Sequence, residues 1–323
     1  MRVAIYDGAG GPEIIRFGER PSPTLGAGEI RVRVQAAGLN RADVLQRKGH
    51  YPAPVGAPSD IPGLEYAGEI IALGDGVTRW QVGARVMGLV GGGAMAEEVV
   101  VDQHEAMRVP PDLDIVQAAA IPEAFLTAWD ALTVRGRLRE GERVLIHAAA
   151  SGVGTAAIQL AGLLGAGQVV GTSRRAAKLD ACRALGLDVG IDTTAHPDFD
   201  AVLPAPVDLI LDVLGAGAFN ANLRALAPRG RLVMLGLLQG ARGTLDLGLI
   251  LQRRLEIIGT TLRSRGAEER RPLVADVTAR VLPALADGRL RPVMHAVLPM
   301  AQLAEAQAMM EADQVTGKIV LTW

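Results

Sequence analysis

The sequence of 323 residues has few members of several residue types, and each scarcity excludes a class of protein. Cys182 is the only cysteine, which excludes an internal disulfide and a thiolate zinc cluster. Aromatic residues make up 3% of the chain, so we expect aliphatic cores. The net charge of −2 indicates no nucleic-acid or anionic-membrane surface, and the N-terminus lacks the apolar run of a signal peptide. A cytoplasmic enzyme is the expectation that remains.

Charge is also missing locally, because residues 144–173 contain no Asp, Glu, Lys or Arg. A membrane span would explain this, but a Gly-rich turn splits the run, and His147, Ser151 and Gln159 lie inside it. A buried parallel strand followed by its crossover helix explains the same lack of charge. We therefore predict a strand, a tight turn of small residues, a helix and a second strand.

The tight turn is typical of a dinucleotide site. The positions of the G-x-G-x-x-G fingerprint are occupied by Ala149, Ser151 and Gly154, with an additional Gly152. Small side chains let the backbone approach a pyrophosphate, and the N-terminus of the following helix supplies unpaired N–H groups.

A basic corner follows the second strand, where an NAD-preferring site would place an acidic residue on the ribose 2′-hydroxyl. This chain instead has Ser173, Arg174, Arg175 and then Lys178. Three cations without a carboxylate suit a 2′-phosphate, so the corner predicts NADPH rather than NADH; the alternative is a solvated basic start of a helix.

The two halves of the chain differ in their pattern of secondary structure. Residues 1 to about 110 alternate short β-runs with Gly- and Pro-rich turns, which predicts a β-rich domain. Strands and helices alternate from residue 144, which predicts a doubly wound parallel sheet and an α/β fold overall. The final strand-helix-strand, 293–322, is expected to pack back on the first domain. The predicted sheet strands are 144–148, 168–172, 188–192, 207–213, 231–236 and 255–261, and other predicted helices are 112–120, 123–137 and 267–286.

Several segments in order resemble one family. They are residues 38–52 (GLNRADVLQRKGHYP), 62–68 (PGLEYAG), 149–159 and 317–321 (GKIVL). Together they resemble the medium-chain dehydrogenase/reductase superfamily, and within it the zinc-free quinone oxidoreductases related to zeta-crystallin. The resemblance implies a GroES-like substrate domain over 1–121 and 265–323, a Rossmann domain over 122–264, and a homodimer through the edge strand 255–261.

The resemblance also implies the residues of the site. Zinc-dependent relatives have metal ligands near the positions of Asn40 and Leu64, so no metal is expected here. It places Asn40 and Tyr51 beside the nicotinamide as catalytic candidates; from the residues alone, Asn40 is equally a turn residue and Tyr51 a ring stacked on Pro52. The implied cofactor contacts are Thr127, Ser151, Gly152, Val153, Gly154, Ser173, Arg174, Arg175, Lys178, Leu214, Gly215, Gly236, Leu237, Leu238 and Lys318.

The function that follows is zinc-independent transfer of a hydride from NADPH to a quinone. Three alternatives stay open: reduction of an enone or enoyl thioester, binding of NADPH without catalysis, and hydrolysis. The hydrolase hypothesis rests on Ser151, Asp212 and His295, which follow the chain order of an α/β-hydrolase triad. However, Val153 would crowd the strained turn that such a serine requires.

Overall fold

The computed structural model describes all 323 residues and divides them into two compact units. Unit 1 comprises Met1–Leu126 and Leu262–Trp323, and unit 2 comprises Thr127–Thr261. The predicted domain limits, 121/122 and 264/265, stay a prediction. The predicted α/β class, with a β-rich domain and a doubly wound parallel sheet, is confirmed.

The chain forms strands and helices from end to end. The strands β1 to β15 are Arg2–Tyr6, Ile15–Glu19, Glu29–Gly38, Glu65–Leu73, Arg85–Leu89, Glu98–Asp102, Ala106–Arg108, Arg143–Ile146, Gln168–Ser173, Val189–Asp192, Val207–Asp212, Leu226–Met234, Glu256–Gly259, Met294–Pro299 and Lys318–Thr322. The helices α1 to α10 are Arg41–Arg47, Ile115–Ala118, Pro122–Trp129, Gly152–Leu163, Ala176–Arg183, Phe219–Ala225, Leu247–Arg253, Ala267–Arg280, Leu282–Ala286 and Leu303–Glu311. None has the length and apolar character of a membrane span.

Unit 1 is built on a seven-stranded sheet in the order β14-β15-β3-β4-β5-β7, with β6 also paired to β3. The alternating sequence of β3 buries Ile30, Val32 and Val34 on one face, as a period of two requires. The C-terminal strand β15 pairs antiparallel with the end of β3, where Val320 lies opposite Gly38. This pairing brings the first residue of β15 to the segments that follow β3 and begin β4.

Unit 2 holds a six-stranded parallel sheet in the order β10-β9-β8-β11-β12-β13. Counted from β8, the strands lie third, second, first, fourth, fifth and sixth, which is the order of dinucleotide-binding sheets. Ligands of such sheets bind outside the carboxyl ends of the strands, where the order reverses. The reversal lies between β8 and β11, so the turn after β8 and the loop after β11 flank it.

Some predicted elements differ from those observed. The predicted helix 112–120 is only α2, because Pro122 begins the next helix and restricts the residue before it. The predicted helix 267–286 is two helices, since Pro283 has no N–H to continue the first. The predicted helix 123–137 becomes a π-helix over Asp130–Arg135. Strand β2 was not predicted; only Ile15 in it is buried, so it has no alternating pattern.

Candidate functional site

The predicted dinucleotide turn joins β8 to α4 in unit 2. Ala148 adopts a left-handed conformation, with φ +49°, and turns the chain sharply. Ser151 then caps α4, and its Oγ accepts a hydrogen bond from the backbone N–H of Gly154 at 3.0 Å. The first turn of α4 thus combines a capped start with the partial positive charge that favours an anion.

Gly154 shows why one fingerprint glycine is retained although two are replaced. A Cβ on Gly154 would lie 2.5 Å from the carbonyl oxygens of both Ala148 and Ala149. Backbone atoms cannot move aside cheaply, so only glycine fits where the helix packs on the turn. Ala149 is itself fully buried, and its small side chain is accommodated there. These features fit a bound pyrophosphate.

Thr127 has an orphaned polar atom. Its Oγ1 is buried and has no hydrogen-bond partner, a state that costs free energy unless a ligand supplies the partner. Thr127 was predicted from the resemblance as a cofactor contact, and the unpaired hydroxyl fits that assignment.

The other predicted cofactor positions follow β11 and β12 at the carboxyl edge of the same sheet. Asp212 ends β11 and accepts the N–H groups of Leu214, at 2.7 Å, and Gly215. Leu237 and Leu238, which come directly after Gly236, are 54% and 52% exposed. Both side chains are thus exposed at the edge of the sheet where ligands of such folds bind.

The basic corner lies where β9 ends and α5 begins. Arg174 and Arg175 are exposed, and Lys178 is half-buried on α5. The corner backbone is fixed from the loop after β10, because Thr194 Oγ1 donates to the Arg174 carbonyl at 2.9 Å and Thr193 N donates to the Ser173 carbonyl at 2.8 Å. The corner therefore presents three cations from a fixed backbone.

His147 also lies in this region, although the sequence alone predicts an ordinary core or surface histidine. It is buried, with Nδ1 2.8 Å from Thr172 Oγ1 and Nε2 2.7 Å from Asn222 Oδ1. Burial lowers its pKa, and the neutral ring then carries its hydrogen on Nε2, because an amide oxygen can only accept. The ring ties β8, β9 and α6 together directly before the dinucleotide turn. The sequence feature that could have identified His147 is a polar residue at the end of an apolar strand.

Unit 1 contains a buried polar cluster around Asn40, one of the two predicted catalytic residues. Glu65 and Lys318 form an ion pair with side chains 0% and 5% exposed. Asn40 Oδ1 accepts from Lys318 Nζ at 2.6 Å, and Asn40 Nδ2 donates to Glu65 Oε1 at 3.0 Å and to the Gly38 carbonyl at 3.3 Å. Every hydrogen-bonding group of the Asn40 amide has a protein partner.

This cluster corrects the assignment of Lys318. Lys318 was expected to contact the cofactor phosphates, but its ammonium is enclosed by Glu65, Asn40 Oδ1 and the Leu39 carbonyl at 3.0 Å. An ammonium has three hydrogens, and three partners use them all. Lys318 is therefore a fixed cation inside unit 1.

Tyr51, the second predicted catalytic residue, lies beneath a buried guanidinium. The Arg263 guanidinium carbon is 5.3 Å from the centre of the Tyr51 ring, and Nη1 donates to the Tyr51 carbonyl at 3.3 Å. Arg263 also donates to the Gly91 carbonyl at 2.7 Å and to Gln46 Oε1 at 2.5 Å. Burial raises the pKa of the Tyr51 hydroxyl, and Arg263 opposes that rise. The contact of Tyr51 with Arg263 was not foreseen.

Two further carboxyls belong to the same cluster and were missed. Burial raises the pKa of Asp43 to about 6, although it accepts the N–H groups of Asn40 at 2.8 Å and Gly63 at 3.0 Å. Burial, and then the negative charge of Glu65, raise the pKa of Glu123 to about 7. The sequence signal for Glu123 was an acidic residue within an apolar segment, whereas the segment around Asp43 contains polar residues and gave no such signal.

Comparison with known proteins gives the family. A model described as "Alcohol dehydrogenase GroES-like domain" matches residues 26–111, and one described as "Zinc-binding dehydrogenase" matches residues 152–279. The chain is 34% identical to a quinone oxidoreductase of Pseudomonas aeruginosa, covering 97% of this chain and 96% of that protein. It belongs to the medium-chain dehydrogenase/reductase superfamily, in the quinone oxidoreductase-like family. This confirms the resemblance read from the sequence.

Other relatives match over nearly the whole chain. The human synaptic vesicle membrane protein VAT-1 homolog is 33% identical over 99% of this chain and 86% of its own length. The polyketide synthase GfsB of Streptomyces halstedii is 37% identical over 92% of this chain, which spans only 5% of that protein.

Several solved structures superpose closely on this chain. A quinone oxidoreductase of Pseudomonas syringae has a TM-score of 0.89 at 29% identity, with 100% of this chain and 99% of that chain covered. A mycobacterial protein complexed with NADPH has a TM-score of 0.87 at 28% identity, with both chains fully covered. The JamJ enoyl reductase has a TM-score of 0.86 at 25% identity, with 99% of each chain covered. This chain is therefore an oxidoreductase of a family that depends on a nicotinamide dinucleotide.

Proposed function

We propose that this protein is an NADPH-dependent, zinc-independent reductase that transfers a hydride to a quinone. The basic corner is the main support for NADPH as the cofactor. Arg174 and Arg175 are exposed at the end of β9, where a ribose 2′-phosphate would need cations. The quinone as acceptor is supported by the relatives that bear that name. The absence of zinc is supported by Asn40 and Leu64, which replace the ligand positions of zinc-dependent relatives.

Residues of unit 2 would hold the cofactor. A bound nicotinamide would supply the hydride, and the protein supplies position and electrostatics. The Ser151-capped start of α4 binds the pyrophosphate, Gly154 keeps the turn close to it, and the hydroxyl of Thr127 gains the partner that it lacks. Arg174 and Arg175 bind the 2′-phosphate by charge-assisted hydrogen bonds.

In unit 1, Asn40 and Tyr51 remain the proposed pocket residues, with different tasks. The Asn40 amide is engaged by Lys318 and Glu65, so it shapes the pocket rather than donating freely to the acceptor. The Tyr51 hydroxyl stays protonated at neutral pH, since burial raises its pKa, and it can donate to a developing oxyanion.

Steady-state oxidation of NADPH and NADH with a panel of small quinones tests the proposal. We expect turnover of quinones with a preference for NADPH, and loss of that preference in an Arg174→Ala, Arg175→Ala double variant. Arg183→Ala, on the last turn of α5 and 56% exposed, is the matched control and should keep the preference. A preference of the wild type for NADH, or turnover of no quinone, would contradict the proposal.

Reduction of an enone or enoyl thioester is the second candidate, because the JamJ enoyl reductase has nearly the same fold over the whole chain. It uses the same hydride donor on a different conjugated carbonyl. A parallel panel of enones and enoyl thioesters separates the two. Oxidation of NADPH with enones and not with quinones would replace the first candidate by the second.

A further inference from the structure

Glu123 is the one carboxyl of the unit 1 cluster that nothing neutralises. Glu65 is paired with Lys318 and accepts two N–H groups, from Asn40 and from the Glu123 backbone at 2.8 Å. Asp43 accepts two backbone N–H groups. The Glu123 side chain has no ion pair, and its Oε2 is buried without a hydrogen-bond partner in the protein, although the residue as a whole is partly exposed.

The neighbouring charges do not compensate a negative charge on the Glu123 carboxylate. Two anions, Glu65 and Asp43, disfavour its ionised form, and the cations Lys318 and Arg263 favour it. The three hydrogens of Lys318 already have partners. An unpaired carboxylate in this setting is more costly than a neutral carboxylic acid, so Glu123 holds a proton near neutral pH.

Glu123 also lies near the proposed pocket. Its backbone N–H donates to Glu65 Oε2 at 2.8 Å, and Glu65 Oε1 accepts from Asn40 Nδ2 at 3.0 Å, so one carboxylate links Glu123 to a proposed pocket residue. The negative charge of Glu123 also contributes to the raised pKa of the Tyr51 hydroxyl. The other titratable or charged groups that face Glu123 are Glu65, Asp43, Lys318 and Arg263. A neutral carboxyl with no internal partner, in a cluster that otherwise satisfies its polar groups, is available to a group outside the protein.

We propose that Glu123 stores the proton that the reduced substrate takes up, and that it is the general acid of the reaction. This inference rests on the proposed function. The quinone gains a hydride, with both electrons, and becomes a hydroquinone monoanion. The O–H bond of Glu123 then breaks, and an O–H bond forms on the anion, directly or through one water. Glu123 is left as a carboxylate and regains its proton from solvent water.

The pH profile of kcat tests the role in wild type, Glu123→Gln and the control Glu140→Gln, which makes the same change at an exposed loop residue. For wild type and control, we expect kcat to fall about tenfold per pH unit above about 7, as the stored proton is lost. Glu123→Gln should be slower by about 100-fold, with no such decline. A structural defect alone would lower the rate and keep the decline, so a variant that retains the decline overturns the proposal.

Infrared spectroscopy of the protein without cofactor gives a second readout. The wild-type minus Glu123→Gln difference spectrum should contain a protonated carboxyl band at pH 6 that disappears as the pH rises through about 7. No such band at pH 6 overturns the stored proton. A wild-type protein that turns over neither quinones nor enones contradicts the proposed function instead, and the two failures are therefore distinguishable.

Discussion

The same carboxyl makes a quantitative prediction about stability. The pKa of Glu123 rises from 4.5 to about 7 on folding, so the folded protein holds a proton between these values that the unfolded chain has released. The resulting stabilisation is fully present below pH 4.5 and is lost as the pH rises through about 7. At about 1.4 kcal/mol for each pKa unit, the loss amounts to about 3 kcal/mol.

Glu123→Gln should remove this loss, because the amide is neutral at every pH and similar in shape. We expect the free energy of unfolding of the variant to rise relative to wild type by about 2–3 kcal/mol between pH 5 and pH 8, because part of the loss occurs below pH 5. Urea denaturation of both proteins at each pH measures the difference. Asp43, whose pKa is also raised, is present in both and cancels. Glu140→Gln should follow wild type, and parallel curves for wild type and Glu123→Gln would refute the argument.

Four other outcomes test separate parts of the structure. Arg174→Ala with Arg175→Ala should weaken NADPH binding at least tenfold and leave NADH binding unchanged by calorimetry, since each charge-assisted hydrogen bond contributes about 1.5–3 kcal/mol. Gly154→Ala should lower the melting temperature and weaken binding of either dinucleotide, because its Cβ meets backbone oxygens at 2.5 Å. Lys318→Met should destabilise the protein by about 3–5 kcal/mol in urea, by leaving a buried carboxylate unpaired, whereas a phosphate-binding lysine would affect only cofactor affinity. We propose a homodimer through β13, which has a sheet neighbour on one side only; light scattering that shows a monomer would contradict it.

Local patterns predicted much of the fold. The alternation in β3 and the strand-turn-helix around Ser151 are set by residues close in sequence, whose spacing determines which side chains are buried. The position of Gly154 in the dinucleotide turn could also be predicted from the local sequence, because the geometry of the turn is local. Two of the three helices that differ from their prediction, 112–120 and 267–286, have a proline inside or just after them, and proline ends a helix. Strand β2 has too few buried residues to produce a period.

The polar cluster could not be predicted from such patterns. Asn40 and Lys318 are 278 residues apart, and only the pairing of β15 with β3 brings them together. The same holds for His147 and Asn222, which are 75 residues apart. A charged residue in a sequence gives no sign of which distant group will neutralise it. Lys318 was therefore assigned to a phosphate, where its actual partner is Glu65.

The position of Lys318 bears on the proposed reduction of an acceptor without a metal. Its ammonium joins Asn40 to Glu65, which belong to the two segments that carry metal ligands in zinc-dependent relatives. A fixed positive charge thus lies between these segments, but its hydrogens are used within the protein, so it polarises its surroundings without binding the acceptor directly. Asn40 is held in the same way. Hydrogen bonds and the proton for the acceptor oxygen must then come from groups whose hydrogen-bonding capacity is not used within the protein. In this cluster, those groups are the Tyr51 hydroxyl and the unpaired carboxyl of Glu123.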